Sequence, residues 1–295
     1  MISYNPKEWV RFIFNIHKAD TIRKLFPLML LLAIYSAGIA YLEIDYLQLS
    51  EQSHVRHLSL LHNLLGFAIS MLLVFRTNTA YDRWWEGRKL WGSLVNNSRN
   101  LSVKLNSMLE PGDENNRRFF VQIIPRFAQE LMHHLQSEET RLALDEKPHP
   151  EIPDFDRSKH MPNQIATLIM NRITLLRKQN LLSAEQLLLL NNEVSGFLDI
   201  CGACERIKNT PIPYSYSSFI KKFIFVYILT LPIGYVFNLG YWVIPVVLFV
   251  FYVLASLELI AEEIEDPFGK DSNDLPMQRI ADNIRKNVKE ILETA

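Results

Sequence analysis

The sequence predicts an all-α integral membrane protein with four transmembrane helices and a helical region outside the bilayer. Three observations carry this. Apolar residues make up 48% of the 295-residue chain while mean hydropathy stays near zero, so very apolar stretches must alternate with strongly charged ones. Long regions lack any charged side chain. Between them, apolar side chains recur at spacings of three and four, without the alternation of strands.

Residues 1–24 are basic and aromatic and lack the short apolar core and small-residue cleavage site of a signal peptide, so this segment is expected to be retained. Leu25 to Leu42 is uncharged over 18 residues, about the minimum for a hydrocarbon core of roughly 30 Å, and reads as the first span. Leu58 to Phe75 reads as the second. It carries His62 and Asn63, which are costly against lipid and imply one face turned to protein or water. These spans make up residues 25–75.

Residues 76–222 read as a helical cytosolic region: Phe119, Phe120, Ile123, Ile124, Phe127 and Leu131 share a face, and Leu181 to Leu198 repeats the pattern. Pro148, Pro150, Pro153 and Pro162 make the stretch from Pro148 to Pro162 a loop. Within 223–257 no side chain is charged, but Pro232, Gly234, Asn238 and Gly240 interrupt the run. It divides into a third and a fourth span with a tight turn near Asn238 and Gly240. Residues 258–295 form a cytosolic C-terminal segment.

Orientation follows from Lys and Arg in the flanks. Lys7, Arg11, Lys18, Arg23 and Lys24 precede the first span, whereas the loop from Glu43 to His57 holds only Arg56. Arg76, Arg83, Arg88 and Lys89 follow the second span, and Lys221 and Lys222 precede the third. This predicts a multi-pass membrane protein with both termini and the middle region cytoplasmic.

Several function classes lose support at this stage. The net charge of −1 gives no basic surplus for nucleic acid. No Gly-rich phosphate loop and no internal repeat suggest an ATP-driven pump. His133 and His134 are adjacent, point to different sides of a helix and do not form a paired metal site. No G-x-S-x-G nucleophile motif occurs, so no catalytic residue, cofactor or metal is expected, and the chain does not read as an enzyme. Cys201 and Cys204 form a C-x-x-C with no second pair and read as buried structural thiols.

Three segments go beyond composition: Phe75 to Gly92 (FRTNTAYDRWWEGRKLWG), Cys204 to Tyr216 (CERIKNTPIPYSY) and Glu263 to Pro276 (EIEDPFGKDSNDLP). In this order, around four spans, they resemble the bestrophin family and its bacterial relatives. The resemblance implies a homopentameric ion channel, with five copies of the second span lining a narrow neck and helical cytosolic parts enclosing a wider vestibule. Animal members pass chloride under calcium control, and bacterial relatives have been associated with cation conduction. The expected partners are the chain itself, the lipid bilayer and permeant inorganic ions.

Phe67, Met71 and Phe75 fall at i, i+4 and i+8 on one helical stripe and correspond to the family's neck positions. Asn63 extends that stripe one turn outward, at the pore mouth. Five copies would make apolar rings that gate by dewetting. Glu185 corresponds to the cytosolic aperture and starts a helix with Ser183 as its N-cap, so five carboxylates there would favour cations over anions. A chloride channel of the same fold is the alternative, as is a secondary transporter, although only the third span is broken by Pro and Gly. Glu263, Glu265, Asp266, Asp271 and Asp274 form a candidate cation-binding or structural belt. Lys270 opposes a calcium clasp there, which favours the belt. Thr210 to Tyr214 should form an extended bend. Glu205 and Arg206 should pair with neighbouring helices, and Trp84, Trp85 and Trp91 should lie at the membrane interface.

Overall fold

The computed structural model describes residues 21–48, 58–136 and 159–293. Lys7, Arg11, Lys18 and Arg56, which bear on orientation, and Pro148, Pro150 and Pro153 lie outside the described residues. In order, the elements are α1 (Thr21–Tyr41) with a π turn (Leu42–Tyr46), α2 (Leu58–Met108), α3 (Glu114–Gln136), α4 (Met161–Lys178) and α5 (Ala184–Asn209). There follow α6 (Tyr214–Leu239), a 3₁₀ turn (Gly240–Trp242), α7 (Val243–Glu265) and α8 (Met277–Glu293). No strand occurs among the described residues. Two units result: Ile2–Arg83 with Pro211–Glu265, and Trp84–Thr210 with Asp266–Ala295.

The first unit holds α1, the start of α2, α6 and α7, packed through Leu25, Leu32, Ile69, Leu73, Ile224, Ile228, Val247 and Phe251. Its other faces are apolar too: Phe26, Leu31, Ile34, Phe225, Val226 and Phe249 are exposed, the pattern of helices whose outer surface meets lipid. Several polar groups inside are paired. The His62 ring lies 3.0 Å from Thr230 Oγ1, the Tyr35 hydroxyl donates to the Leu229 carbonyl at 2.9 Å, and Thr21 and Ser256 share a hydrogen bond of 2.9 Å. Pro232 stays inside α6, and the chain reverses at Gly240, whose φ of 55° lies in the left-handed region that a side chain resists.

The second unit is a helical bundle whose core joins Leu94 and Leu101 of α2, Phe120 and Phe127 of α3, Ile169 of α4, Phe197 of α5 and Ile284 of α8. The second span, Leu58 to Phe75, is the first part of a longer helix: α2 runs unbroken for 51 residues, about 75 Å at 1.5 Å per residue, because no proline interrupts it after Phe75. Two expectations need correction. Trp91 is fully buried in this core, not at a membrane interface. The Pro-rich loop ends earlier than Pro162, which sits in the first turn of α4, where proline lacks only a hydrogen bond that helix starts do not make.

Among the described residues, Thr21–Tyr46, Leu60–Met108, Tyr214–Glu265 and also Ala184–Asn209 are long and apolar enough to cross a bilayer. Tyr214–Glu265 contains both α6 and α7. Helix α5 differs from the rest: Glu193 and Asp199 lie within it, Glu193 pairs with Lys104 at 2.7 Å, and Leu190, Val194 and Phe197 sit in the bundle core. Carboxylates at mid-helix are expensive in hydrocarbon, so we read α5 as lying outside the membrane. The chain is a multi-pass membrane protein.

Candidate functional site

Phe67, Met71 and Phe75 lie along one line of α2 and are 68%, 44% and 56% exposed on the single chain. Asn63 continues the line and accepts a hydrogen bond from the Tyr235 hydroxyl at 3.0 Å. The reverse of the helix is buried, through His62, Ile69, Leu73 and Arg76. One face is therefore clamped to α6 and α7, and the opposite one presents large apolar side chains.

The clamp has a charged centre that sequence reasoning did not find. Arg76, 1% exposed, pairs through Nη2 with Glu265 Oε2 at 2.7 Å and places Nε 3.6 Å from Glu258 Oε1. Glu265 Oε1 also accepts the backbone N–H of Ile212 at 2.7 Å, and the Glu265 carbonyl accepts from Arg83 Nε at 3.1 Å. One carboxylate thus ties α2, just past Phe75, to the bend that starts α6. The prolines at 211 and 213 keep that bend non-helical, as expected, leaving the Ile212 N–H available. An arginine closing one apolar run and carboxylates closing another were the available signal.

The acidic belt is not gathered at one point. Glu265 serves Arg76, and Glu263 pairs with Lys24 at 2.5 Å. In the helical unit, Asp274 is 3% exposed; its Oδ2 accepts from the Asp271 N–H, while its Oδ1 has no hydrogen-bond partner. Burial pushes the Asp274 carboxyl up to about 7, with the Asp271 N–H opposing and the Asp271 and Asp266 charges adding. Carbonyls of the segment already have donors: Gly269 takes Gln136 Nε2 and Asn273 takes Trp84 Nε1, both at 3.1 Å. Phe268 is buried, and its ring lies 3.1 Å from where a Cβ on Gly87 would be.

Glu185 stands exposed in the first turn of α5, and Ser183 caps the helix in a reciprocal box with Gln186. The Ser183 hydroxyl donates to the Glu185 carboxylate at 2.7 Å and, with the Glu185 backbone N–H, holds its pKa below the usual range. The residue is ionised at neutral pH.

Glu205 pairs with neighbouring helices, as expected, and its partners are histidines. Its Oε1 meets His134 Nε2 and His160 Nε2, each at 2.6 Å. Arg206 is exposed, because successive residues on a helix point about 100° apart and only one can face the bundle. His134 is therefore part of a cluster, supplied by a residue too distant in sequence for spacing to reveal. Cys201 and Cys204 are free and buried, as expected.

The whole chain finds known relatives. Residues 1–290 match the family model for bacterial/fungal bestrophin protein. A voltage-dependent anion channel-forming protein of Synechocystis sp. is 35% identical over 235 residues, covering 77% of this chain and 76% of its own. One of the same name from Salmonella typhi is 30% identical over 285 residues, covering 96% and 91%. A crystal structure of a bacterial bestrophin homolog from Klebsiella pneumoniae, solved by Zn-SAD phasing, aligns with a TM-score of 0.78 at 30% identity over 90% of this chain and 98% of that one. Sequence, fold and relatives agree that this chain belongs to the bestrophin family of ion channels.

Proposed function

We propose that the chain is one fifth of a homopentameric channel of the inner membrane that passes ions passively along a central axis, with cations favoured over anions and both termini cytoplasmic. The observation that carries the pore assignment is the exposed line Asn63, Phe67, Met71 and Phe75 on a helix whose opposite face is pinned by a buried arginine. Five such lines around an axis form a polar mouth above apolar rings, narrow enough to shed water when closed and short enough for ions to pass when widened. Residues 76–222 and 258–295 form the cytosolic part, and the 263–276 segment acts there as a structural belt. Glu185 carries the cation preference: its carboxylate is exposed, capped and ionised, and five of them on the ion path attract cations and repel anions.

The relatives' names favour a second reading, an anion channel of the same fold. Purified protein in planar bilayers under a salt gradient separates the two. A cation preference in the parent that falls or reverses in Glu185→Ala and Glu185→Lys supports the proposal. A reversal potential on the anion side in the parent, or one unmoved by both substitutions, overturns the role of Glu185. Absence of unitary steps from a well-assembled oligomer overturns conduction itself.

A further inference from the structure

We propose that His134, His160 and Glu205, all on the helical unit, form a binding site for a divalent transition metal of the zinc class. Each ligand comes from a different element: His134 from the last turn of α3, His160 from the N-cap of α4 and Glu205 from near the end of α5. Their ligand atoms all lie within 4.8 Å of one another. The two imidazoles sit with centroids 4.4 Å apart and both aim Nε2 at the same carboxylate oxygen. Among the described residues this is where three such groups converge.

Donor chemistry narrows the occupant. Two nitrogens and one carboxylate suit zinc and its neighbours in the first transition row, while calcium and magnesium prefer oxygen alone. The side chains are 33%, 31% and 28% exposed, so the site is reachable from water, and a solvent molecule can complete a tetrahedron. Ligand separations in such a site are about 3.3 Å for bonds near 2.0 Å, so the 2.6 Å contacts open slightly on binding. The surroundings orient the ligands as outer-shell groups do: Lys208 Nζ donates to the His134 carbonyl at 3.2 Å.

One contact opposes the ion and makes the proposal testable. His160 Nδ1 accepts the Asn163 N–H at 3.2 Å, which caps α4. A neutral ring in that state keeps its proton on Nε2, where it donates to Glu205. Coordination through Nε2 moves that proton to Nδ1 by way of solvent and gives up the cap, with no net release from a neutral imidazole and one proton released from a charged one. Asparagine at 160 can cap the helix without ligating the metal.

The test uses the full-length protein in detergent, stripped with chelator and dialysed against zinc chloride, with bound metal counted by mass spectrometry after gel filtration. The parent is expected to hold about one zinc per chain. At equal free zinc, His160→Asn and His134→Ala should keep less than roughly a tenth of it. Zinc should raise the unfolding temperature of the parent and leave that of His160→Asn unchanged. Cobalt(II) loaded into the parent should show the intense visible bands of a tetrahedral site, a readout that needs no variant. Equal zinc in parent and variants, no retained zinc in the parent, or the pale spectrum of hydrated cobalt would each overturn the assignment and leave the cluster as a hydrogen-bonded brace.

Discussion

Replacing Arg76 by alanine is expected to unseat α2 from the membrane unit. Arg76 is the buried cation facing both Glu265 at 2.7 Å and Glu258 at 3.6 Å, and neither Glu258 oxygen has a hydrogen-bond partner. Without the guanidinium, two carboxylates of like charge remain in a poorly solvated place. Breaking a buried pair from one side costs about 3–5 kcal/mol. At roughly 2–4 °C per kcal/mol for domains of this size, thermal unfolding in detergent should fall by roughly 6–20 °C. Arg76→Lys should fall part of the way, since a point charge cannot span both partners. The triple change Arg76→Met with Glu258→Gln and Glu265→Gln should recover most of the loss, because a neutral interior needs no counter-charge and the amide oxygen introduced by Glu265→Gln can still accept from the Ile212 N–H. An Arg76→Ala protein within about 2 °C of the parent, correctly assembled, would refute the reasoning.

Further outcomes follow from the same geometry. Alanine at Phe67, Met71 and Phe75 together should raise unitary conductance by at least roughly twofold, because smaller rings wet more readily; an unchanged current in an intact oligomer counts against the neck. Gly87→Val should loosen the segment after α7, since even a Cβ would sit 3.1 Å from the Phe268 ring and 3.2 Å from Pro267. Protease cleavage within 266–276 should therefore accelerate, and parent-like resistance would show that the ring has room to move. For Asp274 the folded carboxyl, at about 7, lies above its ordinary value of 3.8, so the folded state holds the proton more tightly. Stability should thus be highest below about pH 4 with respect to this group and decline as pH rises to about 7, by on the order of 4 kcal/mol, and Asp274→Asn should flatten that slope. An identical pH dependence in parent and variant would show that Asp274 is ionised in the fold.

The spans were legible because lipid imposes composition as well as pattern: a run without charge announces itself at 25–42 or 223–257 whatever its neighbours do. The cap at Ser183 was legible because capping is local and its partner, Gln186, lies three residues away. Joints were harder. Arg76 and Glu265 are 189 positions apart, and His134 and Glu205 are 71 apart; no periodicity relates them, and in sequence each looks like an ordinary surface charge. Trp91 was misplaced for a related reason, since an indole near an apolar run suits a membrane boundary as well as a bundle core. Only the continuation of α2 through that boundary decides which.

The continuity of α2 also separates the two things a channel must set. Phe67, Met71 and Phe75 carry no charge, so in the proposed pore their rings would decide whether an ion passes but would not distinguish its sign except through the cost of dehydration. Sign must come from charged groups on the path, and Arg76, the nearest charge along α2, is turned into the protein and neutralised there. A buried arginine pointing away from the apolar line leaves the proposed neck without the positive potential that an anion filter would require. In the proposed pore, selectivity is therefore delegated to side chains outside the neck, which is the role the proposal gives to Glu185.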